Sequence, residues 1–344
     1  MRKLKIITPA AVFLAVALTM ALRPGLETED ITRKAVGCIA LHNTPAGQYS
    51  WISSNQVLIA TFLRGGSEVV ELDGPGWAAA RLDRLSREFD SLSKGGLNPS
   101  WAVSPDGRQI IVAGYSRQGD PDRTIRTLGF SGEVLDSDVN SASKPLGRAG
   151  AYWAPGSKVW MVIGHSNSCT VGVWSLSGGR GFASATLHTN LWIPLGFASS
   201  DSFLLMEATS PGQTCRRIAE FSLRERKVGL KYTVRLPFRC DVRAVELSPS
   251  GRNLLWEVQR VKHLPRLEFV SRFPFLTASK ELCPPAAWIS DAEGTRFVCL
   301  GRLPPGAAAL RWSADEAQIS FLHQARIWCV PVDAQLTRAE EAPY

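Results

Sequence analysis

The densest set of side chains able to do chemistry lies between Gln259 and Ala286. Arg260, Lys262, His263, Arg266, Arg272 and Lys280 alternate there with Phe269, Phe273 and Phe275, against Glu268 and Glu281 as the acids. Cationic groups interleaved with phenyl rings can grip an anionic partner or polymer by charge and stacking. The stretch is also far longer than a hairpin connection needs. It reads either as a binding insertion or as a decorated loop packed on its own unit. Candidate binding residues are Arg260, Lys262, His263, Arg266, Phe269, Arg272, Phe273 and Phe275.

Elsewhere the signals for catalysis are sparse. His42, His165, His188, His263 and His323 show no His-x-x-x-His spacing and no paired carboxylates of the kind a metal needs. Gly164-His-Ser-Asn-Ser168 lacks the closing glycine of a hydrolase elbow. The segment Ser290-Asp-Ala-Glu-Gly-Thr-Arg-Phe297 has the look of a sialidase Asp-box, but it occurs once and lacks the aspartate at its third position, so it reads as a plain hairpin turn. Seven cysteines include no Cys-x-x-Cys pair, which fits neither a zinc site nor a dense disulfide framework. No catalytic residue, metal ligand or cofactor is assigned.

The elements that must position any site recur along the chain. An apolar or aromatic anchor, a small polar turn and an apolar run follow one another at Trp51, Val103, Trp153, Phe197, Leu247 and Trp312. Each is a hairpin leading into a buried strand, as in Val103-Ser-Pro-Asp-Gly before Ile110-Ile-Val-Ala113. Second halves such as Val171-Gly-Val-Trp-Ser-Leu176 and Ile218-Ala-Glu-Phe-Ser-Leu223 alternate like half-exposed outer strands. Four strands per unit of about 50 residues is a propeller blade and not a helical solenoid. Cys169, Cys215 and Cys283 stand before third strands and read as small apolar fillers. Trp77 to Leu92 is either an outer strand or a short helix with Leu82, Leu85, Phe89 and Leu92 on one face.

Ser104-Pro-Asp-Gly107 and the weaker copy Ser248-Pro-Ser-Gly251 resemble the blades of TolB-type, WD-repeat-like propellers over residues 36 to 333. That resemblance implies an all-β fold, a single propeller of six four-stranded blades, and is nearly silent on function. Only one copy is complete, and a role in the Tol system is not carried over. The last unit ends at Arg326-Ile-Trp-Cys-Val-Pro-Val332 without a fourth strand, so Ala35-Val-Gly-Cys-Ile-Ala-Leu41 is expected to pair with it and close the ring. Cys38 and Cys329 would then be candidates for a disulfide.

The resulting division is a leader over 1–25, a linker over 26–34, the propeller over 35–333 and a tail over 334–344. Arg2, Lys3 and Lys5 precede an apolar run over 6–22, which reads as a signal anchor helix or a cleaved signal peptide. Either reading exports the domain, to the outer side of an inner membrane or to the periplasm. Those three charges are part of a net +8, and the remainder is spread without a recognition motif, so no nucleic-acid partner is expected. The expected function is a non-catalytic module that binds a protein or surface polymer. The alternative is a propeller enzyme, a glycan or peptide lyase or hydrolase with its site in the central channel. Several acidic or histidine side chains at one mouth of that channel would mark the enzyme; an apolar or basic rim would mark the binder.

Overall fold

A computed structural model of the chain describes residues 29–332, apart from 42–47, 64–65, 75–76, 94–98, 116–122, 141–148, 157–158, 166–168, 176–184, 188–191, 208–213, 226, 238–239 and 263–280. The leader and tail fall outside the described residues. Among those described, no helix is long and apolar enough to cross a membrane.

The fold is an all-β propeller. β1 (Gly37–Ala40) stands apart from the strands that follow it in sequence. The first blade is β2 (Gln48–Ser53), β3 (Gln56–Leu63), β4 (Gly66–Asp73) and β5 (Ala78–Arg81). The second is β6 (Ser100–Val103), β7 (Gln109–Tyr115), β8 (Arg123–Gly129) and β9 (Val134–Asn140). The third is β10 (Ala149–Trp153), β11 (Val159–His165), β12 (Cys169–Ser175) and β13 (Ala185–Leu187). The fourth is β14 (Trp192–Ser199), β15 (Ser202–Glu207), β16 (Cys215–Ser222) and β17 (Lys227–Arg235). The fifth is β18 (Cys240–Leu247), β19 (Asn253–Lys262), β20 (Glu281–Asp291) and β21 (Phe297–Arg302). The remaining sheet joins β22 (Ala308–Trp312), β23 (Gln318–His323) and β24 (Arg326–Pro331) to β1.

The expectation of six four-stranded blades is corrected at this last sheet. Five blades are made of consecutive strands, whereas the unit at Trp312 supplies three and borrows its fourth from the other end of the described chain. The borrowed strand pairs as the sequence suggested, with Gly37 opposite Cys329 and Ala40 opposite Arg326. The inner strands β2, β6, β10, β14, β18 and β22 touch in turn, and β22 touches β2, so the ring is closed.

The closing strand is led in by a strap. The Arg302 amide donates to Glu29 O at 2.8 Å, and Asp30 caps a 3-10 turn at Ile31–Lys34 by accepting from the Thr32 amide at 3.0 Å. Ile31 is fully buried between β21 and β24. Gly301 lies at φ +140°, and a Cβ there would sit 2.8 Å from Glu29 O, so only glycine lets the strap lie this close.

The serine turns show why the repeat is spelled as it is. Ser104 Oγ donates to Asp106 at 2.6 Å and accepts from the Gln109 amide at 2.9 Å. Ser313 Oγ repeats both bonds, to Asp315 at 2.6 Å and from the Gln318 amide at 3.1 Å. Ser248 keeps the amide bond from Asn253 at 3.2 Å, but its side-chain partner is the Ser250 hydroxyl at 3.3 Å. All three serines are buried and would carry a desolvation penalty if left unpaired.

The core is a set of apolar wedges between neighbouring sheets. Trp256, Leu254 and Val234 fill the gap between blades four and five, and Phe321, Ile319 and Leu255 fill the next. Each such side chain contributes about 1.5–3 kcal/mol relative to exposure. The Trp77–Leu92 segment resolves into both expected elements, the outer strand β5 and then α1 (Asp83–Leu92). Leu85, Phe89 and Leu92 of α1 are buried against Leu58, Ile110 and Val112, so the helix wedges between blades one and two. The Val69 amide donates to Ser86 Oγ at 2.9 Å, and Arg126 pairs with Glu88 at 2.7 Å.

The Cys38–Cys329 bridge is overturned. Both are free thiols, Cys38 exposed and Cys329 buried. The register sets Cys38 opposite Trp328 and Gly37 opposite Cys329, so adjacent-residue alternation sends the two sulfurs to opposite faces of the sheet. Cys215 is also no filler, since its thiol is exposed at the start of β16.

Candidate functional site

Each blade presents its first strand as the inner edge of its sheet. The outward-facing backbone amides and carbonyls of such an edge need water or a ligand. These edges surround an axial cavity of about 520 Å³, lined by residues of all six inner strands and by the turns that follow them.

The anchors of the repeat fix this geometry. The Trp51 indole N–H donates to Ser320 Oγ at 2.8 Å, and the Tyr49 hydroxyl donates to Ala309 O at 2.8 Å. Both bonds tie β2 to the composite sheet, across the point of ring closure. The Trp153 indole N–H likewise reaches back one blade to Ala102 O at 3.0 Å. Burial raises the Tyr49 hydroxyl well above its ordinary pKa, so it stays a neutral donor.

Two charged side chains stand among the lining residues, Glu246 of β18 and Arg311 of β22, 3.6 Å apart. Arg311 keeps 47% of its side-chain surface reachable by water and Glu246 keeps 27%, although both lie deep within the ring. One Glu246 oxygen is buried with no hydrogen-bond partner. Burial pushes the Glu246 carboxyl above the usual carboxylate range, and the opposing pull of Arg311 and the Trp312 amide does not cancel this. The charge of Glu246 holds the Arg311 guanidinium above its ordinary value, with Tyr49 and Tyr152 adding to the effect.

Among the described lining residues, those around this pair are uncharged. Ser50, Ser100 and Tyr152 supply hydroxyls, and Gly150 and Gly196 complete the wall. Past the anchors, Ile52, Pro105, Pro155, Pro249 and Ala314 form an apolar collar at the turn end.

Of the candidate binding residues read from sequence, only two lie within the described part of the chain. Arg260 is half-buried on β19, opposite Cys240, and Lys262 ends that strand opposite Glu281. His263, Arg266, Phe269, Arg272, Phe273 and Phe275 lie outside the described residues. The hairpin runs further than expected, because β19 extends to Lys262 and β20 already begins at Glu281. Its described ends, Lys262 and Glu281, lie at the end of the sheet opposite to Ser248 and Pro249, which line the cavity.

Glu246 and Arg311 were not singled out by sequence reasoning. The signal that finds them is positional: each directly precedes a repeat anchor, Leu247 or Trp312, at the place held by Ser50, Ala102, Tyr152 and Gly196 in the other units. The Asp-box-like segment is a hairpin turn, with Asp291 accepting from the Thr295 amide at 2.6 Å and from the Arg296 amide at 3.3 Å. Among the described residues no group of three or more His, Cys, Asp or Glu is placed to hold a metal ion.

No family model matches the chain, and no curated protein sequence matches it. Its fold is similar to that of TolB from Acinetobacter baumannii, with 12% identity, a TM-score of 0.48 and coverage of 81% of this chain and 64% of that one. The chain thus spans under two thirds of that protein. It is also similar to hydrazine synthase of Kuenenia stuttgartiensis, at 12% identity, a TM-score of 0.49 and coverage of 85% and 78%. A TolB-like protein of Agrobacterium tumefaciens is similar at 11% identity and a TM-score of 0.47, over 86% of this chain and 97% of that one.

Proposed function

We propose that this chain is an exported, membrane-tethered six-bladed propeller that binds a protein or surface polymer at its axial channel without transforming it. The observation that carries this reading is the cavity of about 520 Å³ lined by the inner edges of all six sheets. Six free strand edges give a ring of backbone donors and acceptors that an extended chain or polar ligand can use. The collar of Ile52, Pro105, Pro155, Pro249 and Ala314 is the apolar rim expected of a binder. The charges of residues 2–5 and the apolar run at 6–22 support the export.

One observation favours the enzyme reading. Glu246 is a carboxyl raised by burial inside a cavity, the environment of many general acids.

Photo-crosslinking residues at Ser50 in the channel and at Leu230 on the exposed outer strand β17 separate the readings in membranes. Capture of an intact partner from position 50 and not from 230 is expected. Capture from 230 alone overturns the channel as the site. A partner recovered cleaved with Glu246 present, and intact with Glu246→Gln, identifies the enzyme.

A further inference from the structure

The channel chemistry reaches past binding in general to the group that is bound, a step that rests on the channel being the site. Arg311 is the one guanidinium among the described lining residues of the cavity. Its 3.6 Å separation from Glu246 is longer than a charge-assisted hydrogen bond of about 2.7–2.9 Å. The guanidinium is held by one Glu246 oxygen through charge and a side-chain hydrogen bond, while the other Glu246 oxygen has no partner, so the pair is not bidentate and nearly half of the Arg311 side chain stays reachable from the channel. A guanidinium offers five donors in a planar fork that matches a carboxylate.

Glu246 limits what the fork accepts. A dianion such as a phosphate monoester would bring two charges beside a carboxylate with one cation to compensate them. A monoanion replaces Glu246 as the partner of Arg311 without adding a net charge beyond its own. The Tyr152 hydroxyl stands close enough to Arg311 to be felt electrostatically, and Ser50 adds a hydroxyl on β2, the strand next to β22 in the ring. The apolar collar begins two to three residues past the Arg311 level, at Ile52 and in the turns that follow the inner strands.

We infer that the axial channel takes a carboxylate-bearing ligand, its carboxylate on Arg311 and its uncharged body directed toward the collar of Pro105, Pro155 and Pro249. The carboxylate belongs either to a small organic acid or to the C-terminus of a polypeptide.

The test is calorimetric titration of the intact protein with hexanoate against hexanamide, and with an uncharged-side-chain pentapeptide acid against its C-terminal amide. An acid at least about tenfold tighter than its amide is expected, the size of one lost charge-assisted bond. Preference for hexanoate over hexanamide assigns a small acid; preference confined to the peptide acid assigns a polypeptide terminus. Equal binding of acid and amide in both pairs, or binding of neither acid, overturns the inference. The comparison uses unaltered protein, so it survives a variant that fails to fold. Arg311→Gln should erase the acid preference, whereas Glu246→Gln should strengthen acid binding by removing the competing carboxylate; losses in both variants would reduce the pair to a structural role and overturn the assignment. Crosslinking at Ser50 that persists while acid and amide bind alike would sink this inference and leave the binding reading standing.

Discussion

The inner turn of blade two and that of the composite sheet solve one problem with different residues. Blade two uses Ser104, Asp106 and Gly107; the composite sheet uses Ser313, Asp315 and Glu316. Gly107 and Glu316 both lie at positive φ, +67° and +59°. A side chain at such a φ costs about 1–2 kcal/mol, which glycine avoids. Glu316 offsets that strain by reaching the neighbouring blade, where its carboxylate accepts from the Ser250 amide and from Ser250 Oγ. Blade five sits between these cases, with Gly251 at φ +74° and a serine in place of the aspartate. The feature common to all three is the buried serine that bonds the returning strand. The motif is thus a hydrogen-bond device, and its glycine and aspartate are replaceable where a neighbour compensates.

The largest effect should come from forcing a side chain where no compensation exists. A Cβ on Gly251 would sit 2.8 Å from Ala198 O and 2.9 Å from its Cα, both backbone atoms. Gly251→Ala should destabilise the fold by about 3 kcal/mol, read from urea midpoints. An effect under about 1 kcal/mol would show that this turn can move away from blade four. Ser104→Ala and Ser313→Ala come next, at about 1–2 kcal/mol each, with Ser248→Ala smaller because its 3.3 Å hydroxyl contact is the weakest of the set. Equal losses at all three would remove the distinction between aspartate and serine turns. Glu316→Gly should change stability by no more than about 1 kcal/mol, since relief of the positive φ balances two exposed hydrogen bonds.

The smallest effect concerns the middle of blade five, where Glu257 is buried on β19. Burial raises its carboxyl above the usual range, and the charge of Arg243 offsets this in part. A carboxyl raised on folding binds its proton more tightly in the folded state. It therefore costs stability above its folded pKa, and the cost disappears as pH falls below the unfolded value. Glu257→Gln should melt above the parent at pH 8 and converge with it at acid pH. A Tm difference that grows on acidification would reverse the assignment.

Much of this architecture was legible because it is local. Anchors at Trp51, Trp153, Phe197, Leu247 and Trp312 sit where strands lead into turns, and the alternation after them gives the pairing partners. The ring closure was legible too, because a unit with three strands needs a fourth and residues 35–41 are a spare one. The helix at Asp83–Leu92 showed its apolar face directly. The ion pair was not legible, because Val245-Glu-Leu and Leu310-Arg-Trp look like ordinary strand sequence, and only the closed ring sets the two charges side by side. The thiol pairing failed for a related reason: a register one residue different would have put Cys38 and Cys329 on the same face.

By itself, the sequence determined the blade, since turn chemistry and two-residue alternation act over a few neighbouring positions. It also determined that the ends must meet, because an unfinished sheet exposes an edge. Only the tertiary structure decided what faces the axis. Six inner edges converge there from residues far apart in the chain, so the channel's width, its collar and the Glu246–Arg311 pair exist only once the ring has closed.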